Sequence, residues 1–271
     1  MPAPQPMARV FPVHRAYPFA GTQLGFTLTE IAVVLLIIGL LLGGMMLTYS
    51  VQVDQSNRQE TQRRLEYARE LLIGFAIVNG RLPCPASSSS SAESISGGTC
   101  TDYYTGYLPG STLGFQPVDA AGYALDVWNN RIRYAVAQTI VSGTSPHFIN
   151  STNLKDNGVS TQPNDLVVCS SATGTLPSAV PTPSCGTAVS ITNQKTVAAV
   201  VWSLSKNGSS STTDRADENL NNKSSTNNNN AIMVYRSTTG IDTALGEFDD
   251  QMVWIPASQL YSRLISAGVL P

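Results

Sequence analysis

Charge is scarce in this chain: 13% of its 271 residues are charged, and 16 Lys and Arg stand against 18 Asp and Glu for a formal net charge of −2. So little base excludes the electrostatic footprint that holds a phosphate backbone, and no nucleic-acid partner is expected from charge. Histidine is scarcer still, with His14 near the amino terminus and His147 in the body. There is no Gly-x-Ser-x-Gly elbow and no phosphate-cradling glycine loop, so hydrolase and nucleotide chemistry lack their usual residues. No enzyme is expected, and no catalytic or cofactor-binding residue is assigned. No repeat of roughly 20 to 50 residues is present, which excludes a solenoid or propeller.

Cysteine is limited to four residues, Cys84, Cys100, Cys169 and Cys185. None forms a Cys-x-x-Cys pair, which removes the usual zinc patterns. Four cysteines allow three connectivities. Short loops are cheap to close and both segments are rich in Ser, Gly and Pro, which favours the two local pairs. Free buried thiols suit a cytosolic protein, not a chain with export features.

Those features lie at the amino terminus. Residues 1–25 carry Arg9, His14 and Arg15 and no acid, while the rest is mildly acidic and rich in Ser, Thr and Asn. That split is expected of an exported product with a targeting leader. From Ile31 to Val53 no residue is charged, and Ile31–Leu47 (IAVVLLIIGLLLGGMML) is intensely apolar. At about 1.5 Å per residue, a helix over Phe26–Leu47 spans roughly 33 Å, enough for a bilayer core of about 30 Å. A secretory signal has a shorter apolar stretch, and a plain anchor leaves Glu30, an acid just ahead of the run, unexplained.

Gly25-Phe26-Thr27-Leu28-Thr29-Glu30 resembles the prepilin signal of type IV pilins and type II secretion pseudopilins. The resemblance implies cleavage after Gly25 by a membrane peptidase, methylation of the new amino-terminal Phe26, and a glutamate, Glu30, as fifth mature residue. Physical reasons accompany each role: glycine offers a protease no obstructing side chain, and Glu30 offers an anion to the Phe26 amino group of a neighbouring subunit. Asp126-Val127-Trp128-Asn129 resembles the Asp-Pro-Trp-Gly turn of major pseudopilins. The ending from Phe248 to Pro271 resembles the tail of minor prepilin-like proteins.

Further along, Val53–Arg64 is polar without Pro or Gly, and apolar residues return with helical spacing at Leu65, Ala68, Leu71, Leu72, Phe75, Ala76 and Val78. One helix from about Phe26 to Val78 is expected, ending at Asn79-Gly80 before Pro83. Pro83–Pro117 reads as loop, and Tyr103, Tyr104 and Tyr107 as cover for a small core. Strands are expected around Ile132–Val136 and over Leu166–Cys169, Val197–Leu204, Ala231–Arg236 and Gln251–Ile255. A helix should start near Pro256. Lys206–Asn230 is polar and of low complexity, hence a loop. Asp214, Asp217, Glu218, Asp249 and Asp250 offer oxygen ligands, and major pseudopilins bind calcium in a comparable loop. The EF-hand spacing is absent and a solvated loop is the favoured reading, so no metal residue is assigned.

The expected fold is α+β and type IV pilin-like. A long amino-terminal helix, half membrane and half amphipathic, packs on an antiparallel sheet, with a short carboxy-terminal helix. Residues 1–25 form the leader, 26–53 the membrane or filament-core helix, 54–80 its amphipathic continuation and 81–271 the head. The implied function is a minor structural subunit of a type IV pilus or type II secretion pseudopilus. Its partners are the prepilin peptidase and methyltransferase, other subunits, an inner-membrane assembly platform and, before assembly, lipid. The implied location is the bacterial inner membrane, single-pass, with the head in the periplasm. Counting bases does not set the orientation, because Arg58, Arg63, Arg64 and Arg69 follow the apolar run where Arg9 and Arg15 precede it. The alternative is a membrane-tethered surface or periplasmic binding module, adhesin-like or a tip protein that contacts substrate or DNA.

Overall fold

The computed structural model describes residues 25–143, 145–176, 183–208, 216–223, 230–240, 243 and 246–271, without the side chains of 42–50 and 142. The leader up to Leu24 and the candidate ligand Asp214 therefore lie outside the described residues. The chain divides into two units, Met1–Val51 and Gln52–Pro271.

Helix α1 runs Leu28–Asn79. Its start is set by Thr27, whose carbonyl accepts from the N–H groups of Glu30 (3.1 Å) and Ile31 (3.2 Å) and whose hydroxyl also faces the Glu30 N–H at 3.3 Å. A threonine in that place meets amides that have no helical partner. Its end is set by Gly80 at φ +67°, whose N–H returns to the Ala76 carbonyl at 2.8 Å. A side chain there would be strained by the left-handed backbone and pressed against Ser151 at 3.3 Å. In the first unit, Val33, Val34, Leu35 and Leu36 are all exposed. Four consecutive residues cover every direction around a helix, so this stretch is apolar all round.

In the second unit, Leu65, Ala68, Leu72 and Ala76 of α1 are fully buried and belong to one core with Phe148, Val200, Trp202 and Leu260. Their three- and four-residue spacing makes the amphipathic stripe. Arg64 fixes this face by donating to the carbonyls of Leu125 (3.2 Å) and Asp126 (2.8 Å).

The central sheet is antiparallel, in the order β3 (Arg133–Val136), β7 (Val197–Ser203) and β9 (Gln251–Pro256). All of β7 is buried, as an apolar middle strand between two layers should be. Two short antiparallel hairpins are formed by β1 (Ile95–Ser96) with β2 (Thr99–Cys100), and by β4 (Ile140–Ser142) with β5 (Ser145–Pro146). A fourth pair, β6 (Val167–Cys169) with β8 (Ile232–Val234), is parallel. Short helices α2 (Gly110–Leu113), α3 (Ser151–Asn157) and α4 (Ala216–Asn222) lie between these pieces, and α5 (Ala257–Ser266) follows Pro256.

The architecture expected from the sequence, a type IV pilin-like fold, is corrected in two respects. Among the described residues no helix is long and apolar enough to cross a membrane. The single antiparallel sheet is also replaced by one three-stranded sheet and three separate pairs, one of them parallel. Strands of two or three residues bounded by Ser, Gly and Pro are too short to extend the central sheet. The expected loop Lys206–Asn230 contains α4, because Leu220 packs on the small cluster of Val167, Cys169, Cys185 and Ile232.

Candidate functional site

Gly25 and Phe26 sit just ahead of α1 and Glu30 in its first turn. Phe26 is 78% exposed, and a side chain built on Gly25 would meet nothing within 4 Å. The peptide bond between them is thus bare of packing. The cysteines form the two local pairs, Cys84–Cys100 and Cys169–Cys185. Each closes a loop of the size that stabilises a domain by about 3 kcal/mol in the chain-entropy account.

Of the five candidate oxygen ligands, three come together. Glu218 on α4 and Asp249 and Asp250 at the entrance to β9 place one carboxylate oxygen each within 4.8 Å of one another, all buried. Asp217, one residue earlier on α4, turns away: its carboxylate takes Arg236 at 2.7 Å and the Ala172 N–H at 2.7 Å. A helix separates neighbours by about 100°, so only one of the adjacent acids can face Asp249.

Each acid in the cluster is held differently. Glu218 accepts both contacts of the Asn207 amide, at 3.0 and 3.1 Å, and the Asp249 N–H at 3.0 Å. Asp250 accepts from Asn221 at 2.8 Å, and Asn221 is itself clamped between the Val234 N–H and carbonyl. Asp249 accepts the Lys206 N–H through Oδ2 at 3.2 Å, while its Oδ1 is buried with no hydrogen-bond partner. Burial, reinforced by the Glu218 charge, pushes the Asp249 carboxyl up to about 7 against the opposing pull of Arg58. Burial raises Asp250 well above the usual carboxylate range, the Asn221 amide opposing and the Glu218, Asp249 and Asp217 charges assisting.

Three buried carboxylates this close cannot all be ionised without a counter-charge. Protons held on the cluster, a bound cation or a basic side chain paired with one of the acids can supply it. The donors are all carboxylate oxygens, a set that suits a hard divalent ion. The solvated loop expected from the sequence is therefore corrected to a buried acid centre. Glu218 lies inside the polar run while Asp249 and Asp250 follow it, so no local spacing marks the three as one group.

Two further buried polar centres were not signalled by the sequence. Asp165 gathers the Tyr104 hydroxyl at 2.7 Å and the Gln138 N–H at 2.6 Å. His147 meets the Tyr261 hydroxyl at 3.0 Å and is lowered to about 4 by burial. Asp165 and Tyr104 border a small open pocket with Gln138, Thr139 and Asn164, and His147 Nδ1 is buried with no hydrogen-bond partner. No protein-family model, no curated protein and no solved structure matches this chain.

Proposed function

We propose that the chain is a structural subunit, of the minor kind, of a type IV pilus or type II secretion pseudopilus, cut after Gly25 and methylated on Phe26. The observation that carries this reading is the placement of Gly25, Phe26 and Glu30 immediately before a stretch of α1 whose described apolar side chains are bare on every side. Such a surface needs cover from lipid or from copies of itself. An acid at its start needs a cation, and the amino group freed at Phe26 of a neighbouring subunit supplies one.

In this reading the precursor is held at the bacterial inner membrane by a single pass through the Ile31–Leu47 run. The head lies in the periplasm, where two disulfides persist in an oxidising compartment. The chain is the substrate of the peptidase and methyltransferase and performs no chemistry itself.

Mass spectrometry of the amino terminus in the native host is the direct test. Methylated Phe26 is the expected result, and an intact leader or a cut near Met46 overturns the reading. Glu30→Ala then separates a filament subunit, which fails to assemble, from a tethered binding module, which keeps its activity.

A further inference from the structure

Asp165, just ahead of β6, is 9% exposed, and among the described residues no basic side chain pairs with it. Its Oδ2 is already engaged by two donors, the Tyr104 hydroxyl at 2.7 Å and the Gln138 N–H at 2.6 Å. Oδ1 has the Thr139 hydroxyl at a long 3.4 Å and is the less satisfied oxygen. Burial raises the carboxyl, with the Gln138 N–H and the Tyr104 hydroxyl opposing. A buried acid in this state gains from a cation set beside it.

The acid borders a cavity of about 300 Å³ that opens to solvent, and Tyr104, Gln138, Thr139, Ile140 and Asn164 complete its wall. Ile140, 46% exposed, is the aliphatic part of that wall. The Tyr104 hydroxyl has one proton. Asp165 takes it at 2.7 Å, so Gln138 Oε1, 3.3 Å from the same hydroxyl, is left as an acceptor without that donor. Asp165 Oδ1, Gln138 Oε1 and the Asn164 carboxamide oxygen therefore border one opening as three separate acceptors. An ammonium has three donors that point apart, which suits such a set. A guanidinium presents a planar fork that is best met by both oxygens of one carboxylate, and here Oδ2 is taken.

We propose that this cavity binds a primary alkylammonium group, with its charge against Asp165 Oδ1 and its alkyl stem along Ile140. The head group belongs to a lysine side chain of a partner protein or to a free diamine, which share this chemistry. Charge complementarity carries the assignment: an enclosed acid without a base stands beside neutral acceptors and an aliphatic wall. Binding is non-covalent. This inference does not depend on the filament reading, because the cavity lies wholly within the second unit.

The test is a titration of the full chain, disulfides intact, with n-butylammonium, read by NMR at the side-chain amides of Gln138 and Asn164. Saturable shifts are expected, half complete at roughly 1 to 10 mM, as the few contacts of so small a ligand allow. Butylguanidinium should need several-fold more, and n-butanol and tetramethylammonium should give no saturable shift. Asp165→Asn should abolish the response. Because that acid also holds Tyr104 and Gln138, Ile140→Trp provides a second variant: it fills the opening from an exposed position, leaves the carboxylate intact, and should abolish binding with the melting point unchanged. A blocked lysine tripeptide and a free diamine then separate the two sources, the tighter ligand naming the one that applies. Shifts that rise without saturation, an equal response to n-butanol, guanidinium binding as tight as the ammonium's, or binding that survives both variants overturns the proposal.

Discussion

Two buried acid centres flank the Ser203 end of β7 and are built in opposite ways. Asp126 is 1% exposed and both of its oxygens are occupied, Oδ1 by the Asn130 N–H at 2.8 Å and Oδ2 by the Ser203 hydroxyl at 2.6 Å. Asp249 is nearly as buried, at 4%, yet its Oδ1 has no partner and its neighbours Glu218 and Asp250 are acids. Burial raises both carboxyls. At Asp126 donors from Ser203 and Asn130 draw the value back, and at Asp249 the Glu218 charge drives it on to about 7. A satisfied buried acid is a structural pin, whereas an under-satisfied cluster is a place that waits for a proton or a cation.

The comparison breaks most visibly with pH. The Asp249 carboxyl rises from an unfolded value near 4 to about 7 on folding, so the native state holds a proton that the unfolded chain has released. Its contribution to stability is complete below about pH 4 and is lost as pH rises through 7, about 1.4 kcal/mol per unit and roughly 4 kcal/mol in all. Urea unfolding of the full chain at pH 5 and pH 8 should show that fall. Asp249→Asn should reduce it, and excess calcium at pH 8 should restore stability to the wild type more than to the variant. A flat pH profile would remove the contrast between the two centres.

Asp126→Ala should cost about 3 kcal/mol, because it strands the Asn130 N–H and the Ser203 hydroxyl in the core. A thermal melt at one pH reads it directly. Asp249→Asn at pH 8 should go the other way and raise the melting point by an amount worth about 1 kcal/mol, since it removes one charge from a repelling set. Ser203→Ala sharpens the pinned side: one charge-assisted bond is lost, for about 1 to 2 kcal/mol, and the Asp126 carboxyl moves further up without its hydroxyl donor.

Much of the fold was legible where the signal is local. The buried run of β7, the strand before Pro256 and the helix after it, and the Asn79-Gly80 stop all occupy the stretches that periodicity and turn chemistry mark. Asn129 is instructive. It stands where the resembling turn has glycine, and it adopts φ +66°, the left-handed conformation that asparagine tolerates better than most residues. The parallel β6–β8 pair was not legible, since two strands of three residues carry no pairing information across so long an interval. Helix α4 was hidden because its sequence, ADENLNN, is polar on its surroundings' terms and has Leu220 as its one apolar anchor. The three acids were named from the sequence, but their meeting was hidden because Glu218 lies in that disguised helix and the other two adjoin β9. Asp217 and Glu218 looked equivalent in sequence, and only the helix phase assigns them to different tasks.

The parallel pairing of β6 with β8 also orders events in time. One edge of β6 is met early: Val168 accepts from the N–H of Ile191 at 2.9 Å, just outside the loop that the Cys169–Cys185 link closes. The other edge waits for β8, which emerges only after α4. A chain threading outward from its amino end therefore exposes a half-finished strand edge for a long interval, and this edge is where misassociation with another nascent copy is most damaging.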